Sequence, residues 1–165
     1  MQSSDADESQ ATTPPAVVLL AANVRKLRAE AGWSTRAFAE HAGLSISSLY
    51  AIEHGKQRTL RLETLNRLAR AFGVHIARLV EPPGPGRGVW MANDPLEVTG
   101  TALKRIRKAS GMTQEALASM SGVPRDIVAK IEGQTRSPNI DVLERLARAL
   151  GTSLSVLLGY GPEKR

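Results

Sequence analysis

The sequence predicts an all-α protein built twice over, and three observations carry that prediction. Gly32-Trp33-Ser34-Thr35-Arg36-Ala37-Phe38-Ala39 returns 79 positions later as Gly111-Met112-Thr113-Gln114-Glu115-Ala116-Leu117-Ala118, and Arg67-Leu68-Ala69-Arg70-Ala71-Phe72-Gly73 returns as Arg145-Leu146-Ala147-Arg148-Ala149-Leu150-Gly151. Apolar residues in both copies recur at helical spacing, and no strand-type alternation is present. The 165 residues therefore divide into two units of roughly 60 residues each. A unit that size buries only about 60% of its unfolded surface, which leaves little room for an enclosed catalytic cavity. No acid, base and nucleophile set can be named, so the chain is expected to bind on an outer surface rather than to act as an enzyme.

Residues 1–12 are polar and acidic, with little to bury, and read as a disordered tail. The first domain spans 13–80. Thr13 and Pro14 supply a helix start, Leu20, Val24, Leu27 and Ala31 share a face, and Gly32 stops the helix. Ser34 or Thr35 caps helix two (about 35–41), and Ser45 caps helix three (about 46–53). Leu62, Leu65, Leu68 and Phe72 give helix four its stripe, and Ile76, Leu79 and Val80 form a short last helix. Residues 81–93, opening Glu81-Pro82-Pro83-Gly84-Pro85-Gly86, cannot continue a helix and read as a linker.

The second domain, 94–159, begins at Asp94-Pro95-Leu96-Glu97, a capping box enclosing a proline, although Gly100 weakens that helix. It repeats the plan with helix two at Thr113–Met120, helix three at Arg125–Glu132, Ile140, Leu143, Leu146 and Leu150 on helix four, and Leu154, Leu157 and Leu158 at the end. Residues 160–165 read as a polar tail.

Charge is unevenly placed. Residues 1–22 carry 3 acids and no base, 23–80 carry 10 bases and 4 acids, and 99–165 carry 11 bases and 6 acids, so the net +6 sits in the repeats. A polyanion is the expected partner, most simply nucleic acid. There is no cysteine, hence no disulfide or thiolate metal site. The early apolar run Ala16–Ala22 suits neither a signal peptide nor a membrane span. A cytoplasmic, nucleoid-associated protein without membrane attachment is expected.

In each copy a short helix, a glycine turn and a second helix ending in Ile-Glu form a helix-turn-helix. In such a pair the second helix enters the major groove, so its outward positions reach base edges. Ala116, Leu117, Met120, Val123, Val128 and Ile131 suit an inward face, while Arg125, Asp126, Ala129 and Lys130 point elsewhere.

Met112-Thr113-Gln114-Glu115-Ala116-Leu117-Ala118, then Gly122-Val123, Lys130-Ile131-Glu132, Arg136-Ser137-Pro138 and Leu146-Ala147-Arg148-Ala149-Leu150-Gly151, resembles the lambda-repressor and Cro type (Xre-like) helix-turn-helix family over nearly all of residues 102–158. The resemblance implies two tandem lambda-repressor-like five-helix DNA-binding domains joined by a Pro/Gly linker. Members bind operator DNA, generally as dimers. Carried across by position, it makes Gln114 a contact at the start of helix two, Arg125, Asp126 and Lys130 base readers, and Thr135 and Arg136 backbone contacts. Arginine can pair bidentately with guanine and Asp126 can accept from a cytosine amine. The competing reading of Asp126 and Lys130 is a local i,i+4 ion pair.

Copy one departs from the family, with Thr35 where glutamine is preferred and a reading face of Ser45, Ile46, Ser47, Tyr50 and Ala51. Ile46 suits a thymine methyl and Ser47 a base or phosphate. Alternatively, Ile46 and Tyr50 form an apolar spot for a protein partner or for self-association. Arg36, Lys56, Arg58 and Arg61 ring the site with positive charge. The loop after Glu53 is one residue longer than its counterpart, and Gly133 stands one place earlier than the family glycine.

No metal or cofactor is expected. His41, His54 and His75 lack ligand spacing, and Gly84, Gly86 and Gly88 lack the strand of a phosphate loop. Glu53 and Glu132 each end a helix three and read as anchors of the neighbouring turn. The expected function is a sequence-specific duplex-DNA-binding transcriptional regulator, with repression as the expected sense. The alternative is an antitoxin or anti-regulator whose first domain binds a protein while the second binds DNA. A linker of roughly 13 residues could stretch about 43 Å, enough for half-sites about 34 Å apart.

Overall fold

The computed structural model describes residues 15–57, 59–82 and 93–160. The expectations for residues 1–12, for Thr13 and Pro14, for Arg58 and for most of the 81–93 and 160–165 segments lie outside them. Copy one comprises α1 (Ala16–Glu30), α2 (Thr35–His41), α3 (Ile46–Glu53), α4 (Leu62–Phe72) and a short 3-10 helix (Ile76–Leu79). Copy two comprises α5 (Pro95–Ala109), α6 (Gln114–Ser121), α7 (Arg125–Glu132), α8 (Ile140–Ala149) and α9 (Leu154–Leu157). The described residues are all-helical apart from one isolated bridge, Arg61 with Asn139.

Local chemistry sets the helix starts. Ser34, Ser45, Thr113, Asn139 and Ser153 each accept a first-turn backbone N–H through the side chain, and Asp94 accepts from Leu96. Pro15 and Pro124 occupy the cap positions of α1 and α7 without a side-chain bond. His75 caps the 3-10 helix by accepting from Ala77 N–H, which needs a neutral ring; burial pushes its pKa down, against the pull of Glu81.

Gly100, expected to weaken its helix, is buried against α7. A Cβ there would stand 2.5 Å from the Ile131 carbonyl oxygen, a backbone atom that cannot move aside cheaply. The loop after α7 places Gln134, not a glycine, at positive φ (60°), where copy one has Gly55 at φ 64°. The glycine offset seen in the sequence thus leaves a non-glycine residue in the left-handed region, a costly choice for a side chain with a Cβ.

The copies do not hang apart on a tether. Leu62 N–H donates to the Pro138 carbonyl (3.1 Å) and Ile140 N–H to the Leu60 carbonyl (2.9 Å). Leu60 and Pro138 occupy matching places in the repeat, as do Leu62 and Ile140, so the two copies exchange the same bond in both directions. That reciprocity is the mark of an isologous interface. The remaining contacts obey the same symmetry: α1 meets α8, α5 meets α4, and the 3-10 helix meets α9.

Apolar packing follows. Ile140, Leu143, Leu154 and Leu158 of copy two join the core of Leu20, Val24, Phe38, Leu49, Leu65 and Leu68 in copy one. A smaller cluster of Leu103, Leu117, Val128, Ile131 and Leu146 lies within copy two. One apolar cluster is thus shared by the two copies while the other belongs to copy two. Tyr160, assigned to the tail, packs against the shared core and sets its ring 5.7 Å from that of His75.

Replacing Gly100 by Ala on an exposed helix would stabilise it by about 0.5–1 kcal/mol. Here the carbonyl of Ile131 reverses the sign, and Gly100→Ala is expected to cost about 1–3 kcal/mol in urea-unfolding stability.

Candidate nucleic-acid interface

Each helix three is held by an ion pair reaching back to the first helix of its copy, buried in copy two and partly buried in copy one. Arg107 donates to both carboxylate oxygens of Glu132 (2.6 and 2.8 Å) and through its third nitrogen to the Met112 carbonyl. Arg28 does the same to Glu53 (2.6 and 3.2 Å) and to the Trp33 carbonyl. The bidentate fork ties the helix-three end and the turn before helix two to one guanidinium. Glu53 and Glu132 do anchor neighbouring turns. Their arginine partners went unrecognised in the sequence, where Arg28 and Arg107 looked like part of the basic excess. The signal was present, since both pairs recur at the repeat spacing.

Burial alone pushes the Glu132 carboxyl up, but hydrogen bonds from Arg107 and Gln114 and the charges of Arg107 and Lys104 outweigh it. The group is held below the usual carboxylate range. Gln114 is therefore partly committed: half-buried at the start of α6, its amide nitrogen donates to Glu132 at 2.9 Å.

The outer face of α7 is polar and exposed. Arg125, its first residue, pairs with Glu115 of α6 at 2.7 Å, with both side chains more than half exposed. Asp126 and Lys130 form the i,i+4 pair at 3.1 Å. Such exposed pairs contribute little and exchange readily for another ligand. A hydrogen bond from its own backbone, followed by the Arg125 charge, holds Glu115 below its usual range, and the Lys130 bond does the same for Asp126. Thr135 is exposed and its hydroxyl donates to the Lys130 carbonyl (3.2 Å). Arg136 is exposed on the following loop.

The matching face of α3 is different. Ser45 spends its hydroxyl on the cap, accepting from Ser48 N–H and bonding Ser48 and Ser47 Oγ. Ile46 and Tyr50 are each 50% exposed. Tyr50 stacks on His54 (3.8 Å between centroids) with Lys56 Nζ 5.5 Å from its ring. Ser47, Arg36 and Lys56 are exposed, while Thr35 and Ala51 are half-buried.

Between the copies runs a cleft of about 690 Å³, lined by Thr59, Arg61 and Glu63 on one side and by Ile127, Arg136 and Arg145 on the other. Arg61 and Asn139, the bridge residues, both line it, so it lies on the axis relating the copies. Objects related by a two-fold axis sit at the same height along it. Helices α3 and α7, matching elements of the two copies, therefore sit at the same height along that axis, and Ile127 of α7 lines the arginine-bearing cleft.

Among the described residues no helix is long and apolar enough to cross a membrane, and no group of His, Asp and Glu could hold a metal ion. Residues 103–157 match the helix-turn-helix family and residues 19–81 match a helix-turn-helix domain family. The chain is 37% identical over 60 residues to the immunity repressor protein of Bacillus phage phi105, covering 36% of this chain but only 42% of that protein. It is 41% identical over 51 residues to an HTH-type transcriptional regulator of Methanothermobacter thermautotrophicus (31% of this chain, 74% of that one). It is 32% identical over 65 residues to control protein C.SmaI of Serratia marcescens (39% and 77%). No solved structure is significantly similar. The chain belongs to the lambda-repressor and Cro type, Xre-like helix-turn-helix family, a class of DNA-binding transcriptional regulators, and carries its domain twice.

A carboxylate whose folded-state pKa is depressed contributes stability above its unfolded value, about pH 4.3, and loses it as pH falls through the lower folded value. Glu132→Gln is expected to flatten the acid limb of a stability profile between pH 3 and 7. It is also expected to cost about 3–5 kcal/mol at neutral pH, by leaving Arg107 buried and unpaired.

Proposed function

We propose that the chain is a transcriptional repressor that reads a complete operator as a single molecule, with α7 and α3 entering successive major grooves on one face of the duplex. What supports this is the reciprocal Leu60–Leu62 and Pro138–Ile140 exchange, which relates the two helices three by one axis. A homodimer reaches that arrangement by association; here it is intramolecular. Repression is favoured by the phage relative's description as an immunity repressor.

In this function Arg125 releases Glu115 to pair with guanine O6 and N7, with Asp126 and Lys130 beside it. Gln114, Thr135, Arg136, Thr35, Arg36 and Lys56 hold the backbone, and Ser47, Ile46 and Ala51 line the second groove contact. Arg61 and Arg136 place positive charge where the duplex passes the axis. The domains follow the boundaries 13–80 and 94–159 in sequence but act as one body.

The half-exposure of Ile46 and Tyr50 favours a second reading, in which copy one takes a protein partner while copy two binds DNA. Ile46→Ala with Tyr50→Ala separates the two. Loss of duplex affinity supports the first; unchanged affinity with loss of a co-purifying protein supports the second.

In vitro selection from a random duplex pool is expected to return two half-sites bound by one chain, as read by sedimentation of the complex. On the selected duplex Arg125→Ala is expected to lose about 1–3 kcal/mol and to relax preference at one base pair. An equal loss on random duplex would remove Arg125 from base reading.

A further inference from the structure

We propose, resting on the DNA-binding function above, that the chain binds its operator in one orientation only, because its two reading faces are chemically unlike and cannot exchange places. The frame is symmetric and the faces are not. At matching positions of α3 and α7 stand Ile46 and Arg125, Ser47 and Asp126, Tyr50 and Ala129, and Ala51 and Lys130. On the helices before them Arg36 of α2 matches Glu115 of α6, a reversal of charge.

In copy two the cation therefore sits on the groove-entering helix and the anion on the helix that crosses the backbone. In copy one the crossing helix carries the cation, and the groove-entering helix leads with an apolar side chain 50% exposed. The Ser45 hydroxyl beside it is already spent, donating to Ser48 Oγ and accepting from Ser48 N–H.

The two faces ask for different bases. Arg125 and Asp126 match a G·C pair, presenting O6 and N7 as acceptors and the cytosine N4 as donor. Ile46 matches a thymine methyl, and Arg36 a phosphate. A dimer of identical chains has equal faces, so turning it end for end about its axis changes nothing. Turning this chain sets Ile46 against the guanine and Arg125 against the methyl group. Each misread base pair lowers affinity by roughly 5- to 150-fold. The operator is thus a non-palindromic pair of half-sites, one guanine-bearing and one thymine-bearing, and the bound protein carries a direction along the DNA.

The chain contains no cysteine, so one introduced thiol is a unique label. Glu40 and Ser119 occupy matching, exposed positions on α2 and α6, outside the reading set. The full-length Glu40→Cys and Ser119→Cys proteins, each carrying an iron-chelate DNA-cleaving reagent, are bound to the selected duplex. Cleavage confined to one half by the first label and to the other half by the second is the expected result. A duplex in which the α7-type half-site is repeated as a palindrome is expected to bind at least tenfold more weakly than the selected one. Cutting of both halves by each label, or equal affinity for the palindrome, overturns the single orientation while leaving the DNA-binding function standing. Failure of the unlabelled chain to prefer any duplex over random competitor overturns both.

Discussion

Two hydrogen bonds, from Leu62 to Pro138 and from Ile140 to Leu60, decide how everything else in the molecule is placed. Leu62 and Ile140 are the first residues of α4 and α8, so their N–H groups are among those a helix cannot satisfy internally. Each copy supplies the other's missing acceptor. The bonds are worth only about 1 kcal/mol apiece, but they sit on Leu60, Leu62 and Ile140, all buried. Burying such a side chain contributes about 1.5–3 kcal/mol. The docking is thus driven by apolar burial and aligned by the backbone pair. Separation would expose the apolar groups and orphan the N–H groups together, so the copies are parts of one cooperative body.

Against that frame, the positive charge of the chain divides into two kinds. Arg28 and Arg107 are consumed inside the protein, where their forks close on Glu53 and Glu132 and on turn carbonyls. Arg36, Lys56, Arg61, Arg125 and Arg136 remain on the outer surface, Arg61 and Arg136 at the cleft on the axis. A count of net charge cannot separate these kinds. Geometry can, because a guanidinium with three hydrogen bonds committed at the end of helix three has no reach left for phosphate, whereas an exposed pair such as Arg125 with Glu115 gives way to a better acceptor.

Much of this was legible in the sequence, for physical reasons that can be named. The starts of α2, α3 and α6 follow from side-chain caps, and Gly43, Gly55 and Gly122 at positive φ follow their ends, which is local chemistry. What escaped depends on contacts between distant segments. Gly100 reads as a helix weakness until the Ile131 carbonyl is beside it. Tyr160 reads as tail until His75 faces it. Arg107 reads as surface charge until Glu132, 25 residues on, is folded against it. The inter-copy bridge has no period at all, being a single residue pair in two loops of unequal length, one of which relies on a non-glycine residue at positive φ. For the reading faces, the sequence named exposed positions but not their commitments. The Gln114 bond to Glu132 emerges only when helices two and three are set together.

The chain also holds an internal control on which positions the fold requires. Compared with itself, it keeps the arginine and glutamate of each ion pair, the isoleucine before each glutamate, and the two leucines and alanine of helix four (Leu65, Leu68, Ala69 with Leu143, Leu146, Ala147), all of them inward or buried. It changes Ile46 to Arg125, Ser47 to Asp126 and Arg36 to Glu115, all outward. If the outer positions served only solubility, similar charges in any order would do, and a reversal of sign at one helix coupled to a gain of charge at its neighbour would have no consequence. Because α3 and α7 are related by one axis, each difference between the copies becomes, in the proposed function, a difference between the two ends of the duplex they share. In the proposed function, a symmetric frame carrying unequal faces distinguishes direction along the duplex, which a pair of identical domains cannot do.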